Sequence, residues 1–209
     1  MPTILTLNKI AKIGLDQFPQ GYVCGDTVAA PDAVIVRSAS MHETALDPAT
    51  VAIARAGAGV NNIPVEACTE AGVCVFNTPG ANANAVKELV VAALFLSSRK
   101  VADALDWAKT LKGKGAEVGK LVEKGKGAFA GPEILGKTLG LIGLGAIGGL
   151  VANAARALGM QVLGYDPYIS DAAKAQLDSA VQLVGTIDEV LAASDYISLH
   201  IPLTPDTKG

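Results

Sequence analysis

The residues with the most specific spacing for chemistry are Gly143-Leu144-Gly145-Ala146-Ile147-Gly148, a G-x-G-x-x-G run. Glycine is common in this chain, so the run alone is a weak signal; its context sharpens it. It follows a predicted strand, Thr138–Ile142, and opens a predicted helix from about Ala146 to Leu158, stopped by Gly159. The next predicted strand, Gln161–Tyr165, ends at Asp166, 18 residues after Gly148. Each part has a physical role. Gly143 permits a tight turn, Gly145 lets backbone approach a pyrophosphate, and Gly148 lets the helix lie close to the sheet. Free N–H groups at Ala146 and Ile147 form the positive end of the helix, which favours an anion. A carboxylate at Asp166 would accept hydrogen bonds from ribose hydroxyls and repel a 2′-phosphate, so the expected cofactor is NAD rather than NADP.

A second set of residues sits where ligands collect in α/β sheets, beyond the carboxyl ends of strands. Arg37-Ser38 follows the predicted strand Ala33–Val36; Gly57-Ala58-Gly59-Val60-Asn61-Asn62 follows Val51–Ala54; Asn77-Thr78-Pro79-Gly80 follows Val73–Phe76. A guanidinium fits a carboxylate or phosphate through two parallel hydrogen bonds, so Arg37 is a candidate anion ligand, against the plainer reading of a surface arginine. His200, with Ile201-Pro202-Leu203-Thr204, follows the strand Tyr196–Leu199. Its near-neutral pKa suits acid–base chemistry, but a structural hydrogen bond or an exposed loop histidine would account for it equally.

These residues need a scaffold, and the pattern supplies one. Short β-rich runs, beginning with Ile4–Leu7, alternate with helical stretches, as in parallel sheets covered by helices. Between the two groups of strands, periodic apolar residues (Val86, Leu89, Val90, Ala93, Leu94) predict one long helix from near Asn84 to near Lys109. Its middle is apolar on nearly every side and is expected to be buried, between domains or subunits. A Gly/Lys-rich stretch, Lys112–Gly115 and Glu123–Gly127, reads as an exposed arm or loop whose lysines are either solvated or turned to an anionic substrate. A last strand candidate is Val181–Val184, and Thr186-Ile187-Asp188-Glu189 is a capping box that starts a short helix.

Composition excludes other classes. Half of the 209 residues are hydrophobic, with few aromatics, which suits parallel α/β packing; a net charge of −3 argues against a nucleic-acid binder. The longest apolar run, Leu89–Leu96, is far short of the roughly 20 residues that span a bilayer, and no leader pattern opens the chain; the expected location is the cytoplasm. Cys24, Cys68 and Cys74 have neither metal nor disulfide spacing and are expected to be free thiols in or near the core.

With these motifs in place the chain resembles the D-2-hydroxyacid dehydrogenase family. The likeness is carried by Val36-Arg37-Ser38, Arg55 to Ile63, Phe76 to Asn82, Val86 to Leu89, Leu135 to Gly148 and Ser198 to Thr204. The resemblance implies two parallel-sheet domains. Residues 1–81 would be the amino-terminal part of a flavodoxin-like substrate domain, and 82–209 an incomplete Rossmann NAD-binding domain with a helical arm. Substrate, a 2-hydroxy acid and by this likeness a phosphorylated one, would lie near Arg37, Ser38, the backbone at Gly59, and Asn82. NAD would lie at Ala146, Ile147 and Asp166, with His200, Pro202 and Thr204 in a loop beside the adenosine. In such enzymes that histidine is not the catalytic acid. A homodimer through the NAD-binding domain is also implied. Asn61 departs from the aspartate common in the family. The family's catalytic arginine, glutamate and histidine have no counterpart in the chain, so no catalytic residue is assigned. The chain by itself is expected to be inactive and less stable, with Tyr196–Leu199 lacking later neighbours. Two alternatives remain: a dehydrogenase for another 2-hydroxy acid, such as glyoxylate or D-lactate, and a non-catalytic NAD-sensing protein on the same scaffold.

Overall fold

The computed structural model describes residues 1–204, 207 and 208. The chain divides into two compact units, Met1–Asn82 and Ala83–Gly209.

In the first unit, runs of β-branched residues form parallel strands β1 (Thr3–Leu7), β2 (Val23–Gly25), β3 (Ala33–Val36), β4 (Ala52–Arg55) and β5 (Cys74–Phe76), with short helices α1 (Lys12–Leu15) and α2 (Val65–Glu70). The strand order is β2-β1-β3-β4-β5, the flavodoxin-like arrangement. Alternate residues Val34, Val36 and Ile53 point to one face and pack with Met41, Ile63 and Cys68. Between β3 and β4 the crossover carries no regular helix; Met41 and Leu46 fill the space that a helix would cover, and the buried Thr50 hydroxyl donates to the Pro31 carbonyl at 2.8 Å. Strand β2, absent from the sequence-based expectation, is three residues at the sheet edge.

The second unit contains α3 (Ala83–Arg99), α4 (Val101–Lys109), α5 (Val118–Gly125), β6 (Thr138–Ile142), α6 (Ala146–Ala157), β7 (Gln161–Tyr165), α7 (Asp171–Lys174), β8 (Gln182–Leu183), α8 (Ile187–Ala193) and β9 (Tyr196–Leu199). Its parallel sheet has the order β8-β7-β6-β9, which is four strands of the Rossmann pattern. The core is Leu139 and Leu141 of β6, Val162 of β7, and Val151, Ala152 and Ala155 on the inner face of α6. Small residues let α8 lie close on β6: a Cβ at Gly140 would collide with Ser194 and Val190. The capping box at Thr186 and Glu189 is formed and starts α8.

Two expectations are corrected here. The long helix breaks after Arg99, because Lys100 adopts a left-handed conformation (φ 47°). The hydroxyls of Ser97 and Ser98 both donate back to the Leu94 carbonyl, a local competition that weakens the last turn. Within the single chain α3 turns a stripe of Val90, Leu94 and Ser98 inward, with Val86 and Val91 half-buried, and leaves Leu89 71%, Leu96 52% and Phe95 40% exposed. In the Gly/Lys-rich stretch Lys112–Lys114 is a loop as expected, but Glu123–Gly127 is helical, with short 3-10 turns at Gly115–Glu117 and Lys126–Phe129 flanking α5. Trp107 on α4 packs on Phe129 at 5.1 Å between ring centres and against Gly125, which pins this arm to α4. Two smaller differences concern Cys74, which is exposed on β5, and β8, which is two residues long.

Leu139 is fully buried at the centre of the second core. Leu139→Ala is expected to lower the stability of this unit by about 2–5 kcal/mol through lost burial and the cavity left behind, measured by urea unfolding; a loss below 1 kcal/mol would contradict the core assignment.

Candidate functional site

The order β8-β7-β6-β9 reverses at β6, so the crevice where such sheets take ligands opens between the carboxyl ends of β6 and β9. The glycine turn lies there. Gly143 has φ +91°, and a Cβ on it would stand 2.7 Å from the His200 carbonyl oxygen; only glycine fits both constraints. A Cβ at Gly148 would collide with the Gly143 carbonyl, so α6 can start this close to β6 only without one. Gly145 is different. It is exposed, and a Cβ there would meet no protein atom within 4 Å. Nothing in the protein requires that glycine, whereas a ligand lying on the backbone would.

Gly145 is also the N-cap of α6, with no side-chain cap and no acidic residue in the first turn. The positive end of a three-turn helix is thus left for an external anion. Leu144, buried against Gly164, anchors the turn from below. The half-buried Asp166 carboxylate closes it: Oδ2 accepts from the Leu144 N–H at 2.8 Å and Oδ1 from the Tyr168 N–H at 2.9 Å. Each carboxylate oxygen keeps acceptor capacity for a hydroxyl.

The chain leaving β9 passes along the same turn. The His200 N–H donates to the Ile142 carbonyl at 2.8 Å, extending the pairing of β6 with β9 by one bond. His200 Nε2 lies 3.0 Å from Ser198 Oγ, in a hydrogen bond whose direction depends on the tautomer. Burial holds the imidazole below its usual value near 6.5, so it is neutral at pH 7. Pro202 is exposed and Thr204 half-buried; the Thr207 hydroxyl ties this loop together, donating to the Pro202 carbonyl at 2.7 Å and accepting from the Thr204 N–H at 2.7 Å.

In the first unit the loops after β3, β4 and β5 meet at one sheet edge. Arg55 Nε donates to the Arg37 carbonyl at 3.0 Å, Asn62 Nδ2 to the Ala39 carbonyl at 2.8 Å, and Asn77 Nδ2 to the Ala58 carbonyl at 2.6 Å. Arg37, Ser38 and Gly59 are exposed on this rim. Asn82 is exposed on the turn before α3 and, among the described residues, makes no side-chain hydrogen bond to them. Two rim residues were not singled out from sequence: Arg55, whose guanidinium lies across Gly57, and Asn8, which caps the Ser38 loop. Both directly follow or end a parallel strand, the same positional signal that drew attention to Arg37.

Fold and glycine turn together define an α/β protein with a dinucleotide site. The family model for the NAD-binding domain of D-isomer specific 2-hydroxyacid dehydrogenases matches residues 91–209. The chain is 36% identical over 223 residues to D-3-phosphoglycerate dehydrogenase of Mycobacterium leprae, covering 100% of this chain and 40% of that protein. It is 41% identical over 180 residues to hydroxypyruvate reductase of Thermotoga maritima, covering 85% and 53% respectively. Its fold is similar to cofactor (NAD+)-bound 3-phosphoglycerate dehydrogenase of Entamoeba histolytica, with TM-score 0.71, 28% identity and coverage of 100% of this chain and 65% of that one. The chain belongs to the D-isomer specific 2-hydroxyacid dehydrogenase family, and the cofactor of its second unit is NAD. It spans about 40% of the length of the phosphoglycerate dehydrogenase relative. The residues present fit that cofactor: the space a Cβ would fill at Gly145, the uncapped α6 and the Asp166 carboxylate lie on one turn.

The glycines make separable predictions. Gly145→Ala is expected to leave the thermal midpoint within about 2 °C, because the added methyl meets open space, yet to abolish NAD binding in calorimetry. Gly148→Ala is expected to unfold at least about 5 °C lower. Equal effects of the two on stability would contradict the packing described.

His200 predicts a pH dependence. Its folded pKa lies below its unfolded value near 6.5, so the unfolded chain takes up the proton first and stability falls as pH drops below about 6.5. Glu189 and Asp195, held below their usual 4.5 and 3.8 chiefly by hydrogen bonds from Thr186 and from the Thr138 N–H, lose their contributions only in stronger acid. His200→Gln should therefore flatten the thermal midpoint between about pH 7 and 5 while keeping the acid limb; an unchanged profile would remove His200 from the account.

Proposed function

We propose that this chain forms the NAD-binding and substrate-binding parts of a cytoplasmic enzyme of serine biosynthesis that oxidises the 2-hydroxyl of D-3-phosphoglycerate to give 3-phosphohydroxypyruvate. The observation that carries this reading is the Asp166 carboxylate fixed on the Leu144 N–H, beside a helix start with neither a Cβ nor a side-chain cap. In the proposal, residues 1–81, with Asn82 at the boundary, hold substrate and the rest of 82–209 holds cofactor. The N–H groups of Ala146 and Ile147 take the pyrophosphate, Gly143 and Gly148 shape the turn, and Asp166 takes the adenosine ribose. His200, Pro202 and Thr204 line the adenosine side.

Bound NAD would accept the hydride from substrate C2. The chain's own residues bind and orient. Arg37 and Ser38, with the backbone at Gly59 and with Asn82, take the carboxylate or phosphate of the substrate. Two guanidinium groups on one rim, Arg37 and Arg55, support a doubly charged, phosphorylated acid over lactate or glyoxylate. As C2 becomes a ketone, the hydroxyl proton must pass to a base. The chain has two histidines, and neither has a carboxylate partner among the described residues: His42 Nε2 bonds the Asn61 carbonyl and His200 Nε2 bonds Ser198. We therefore assign the chain no proton-transfer role. Exposed Leu89, Phe95 and Leu96 on α3, with Leu135 and Leu158 bordering Phe95 in one groove, support a homodimer through the second unit.

Calorimetry on the 209-residue chain is expected to show NAD binding more tightly than NADP, and Asp166→Ala to weaken NAD by about 10–100-fold through loss of charge-assisted hydrogen bonds. With NAD and 3-phosphoglycerate the chain should form no NADH at 340 nm. Tighter binding of NADP, or an Asp166→Ala variant with unchanged affinity, would overturn the cofactor assignment; steady NADH formation would overturn the assignment of proton transfer.

A further inference from the structure

We infer that Asn8 is a positioning residue for the anion-binding loop at Arg37 and Ser38. The inference rests on the reading of that loop as the substrate site. Asn8 follows β1 and adopts φ +69°, a left-handed conformation open to glycine and, among other residues, most readily to asparagine and aspartate. From there its Oδ1 accepts two hydrogen bonds across the sheet, from the Ser38 N–H at 2.8 Å and the Ala39 N–H at 2.7 Å. Two converging donors fix the carboxamide's orientation, because its NH2 group in that place would face donors with a donor.

The position in the topology is informative. The order β2-β1-β3-β4-β5 reverses between β1 and β3, where the ligand crevice of a flavodoxin-like sheet opens. Asn8 bridges the carboxyl ends of those two strands. The loop backbone is held on its other side as well: Arg55 takes the Arg37 carbonyl and Asn62 the Ala39 carbonyl. All four of these backbone bonds come from side chains of neighbouring loops or strand ends. By contrast, the Arg37 guanidinium and the Ser38 hydroxyl are exposed and have no protein hydrogen-bond partner among the described residues. The backbone is fixed and the side chains are left free, which is the division of labour that pre-organises a ligand site. Asn8 also engages the two consecutive N–H groups that would otherwise offer an anion a competing backbone site, so a ligand is directed to the side chains.

The variants separate backbone from side chain. Asn8→Gly keeps the left-handed conformation and removes the carboxamide; Asn8→Asp keeps an acceptor for both N–H groups but adds a charge that repels an anion. In the 209-residue chain, Asn8→Gly is expected to speed amide exchange at Ser38 and Ala39 at least about tenfold, with β3 amides unchanged, and to raise the dissociation constant for 3-phosphoglycerate by about tenfold in an NMR titration. Asn8→Asp should restore slow exchange while affinity stays weakened. Arg37→Gln serves as the control for the site itself. If Asn8→Gly leaves affinity unchanged while Arg37→Gln abolishes binding, the role assigned to Asn8 is wrong and the site stands. If the unaltered chain does not bind, or Arg37→Gln binds equally well, the site reading fails and the inference fails with it.

Discussion

The second unit depends on one contact: the Asp166 carboxylate accepting the Leu144 N–H at 2.8 Å. It joins the tip of β7 to the turn between β6 and α6, one residue beyond the bond from the Gly143 N–H to the Tyr165 carbonyl (2.9 Å) that continues the pairing of β6 with β7. Hydrogen bonds to a carboxylate are worth more than neutral ones, and this carboxylate is half-buried beside the positive end of a helix. Everything else at the turn accommodates that contact. Gly143 supplies the positive φ, Gly148 the close approach, and buried Leu144 the anchor, so that Gly145 and the first N–H groups of α6 face outward. In the function proposed here, the same group that organises the turn also carries the charge that selects among cofactors. Binding and folding therefore draw on one geometry.

The first unit solves a similar problem by other means. Its helices are both shorter than eight residues, and its β3–β4 crossover is irregular. Rigidity comes instead from side chains that reach between strand ends: Asn8, Arg55, Asn62 and Asn77 each bond the backbone of a neighbouring loop. Such bonds order a loop while leaving the side chains of Arg37 and Ser38 uncommitted. A sheet edge stitched in this way needs little apolar burial, which suits exposed loops such as those to which we assign an anionic ligand.

Much of this was legible in the sequence where backbone geometry dictates residue type. The glycine turn, the acid at the tip of β7, the capping box before α8 and most strands followed from constraints that act locally. The misses have a common physical origin. The break at Lys100 carries no glycine or proline; the residue that turns left-handed there is a lysine, a type that gives no such signal along the chain. The helix at Val118–Gly125 is held by Trp107 and Phe129 from outside its own window, so its glycines disguised it. The clamps at Asn8 and Arg55 depend on the register of β1, β3 and β4, which sets which loop residues face one another and has no signature along the chain.

We propose that backbone at the start of α6 and the Asp166 carboxylate together grip NAD. An NMR titration of the chain with NAD decides this. The amide signals of Leu144, Gly145, Ala146 and Ile147 are expected to shift first and most, saturating together with the Tyr168 amide beside Asp166. Saturable NAD binding that leaves those amides unmoved, with the shifts centred on another part of the unit, would contradict it.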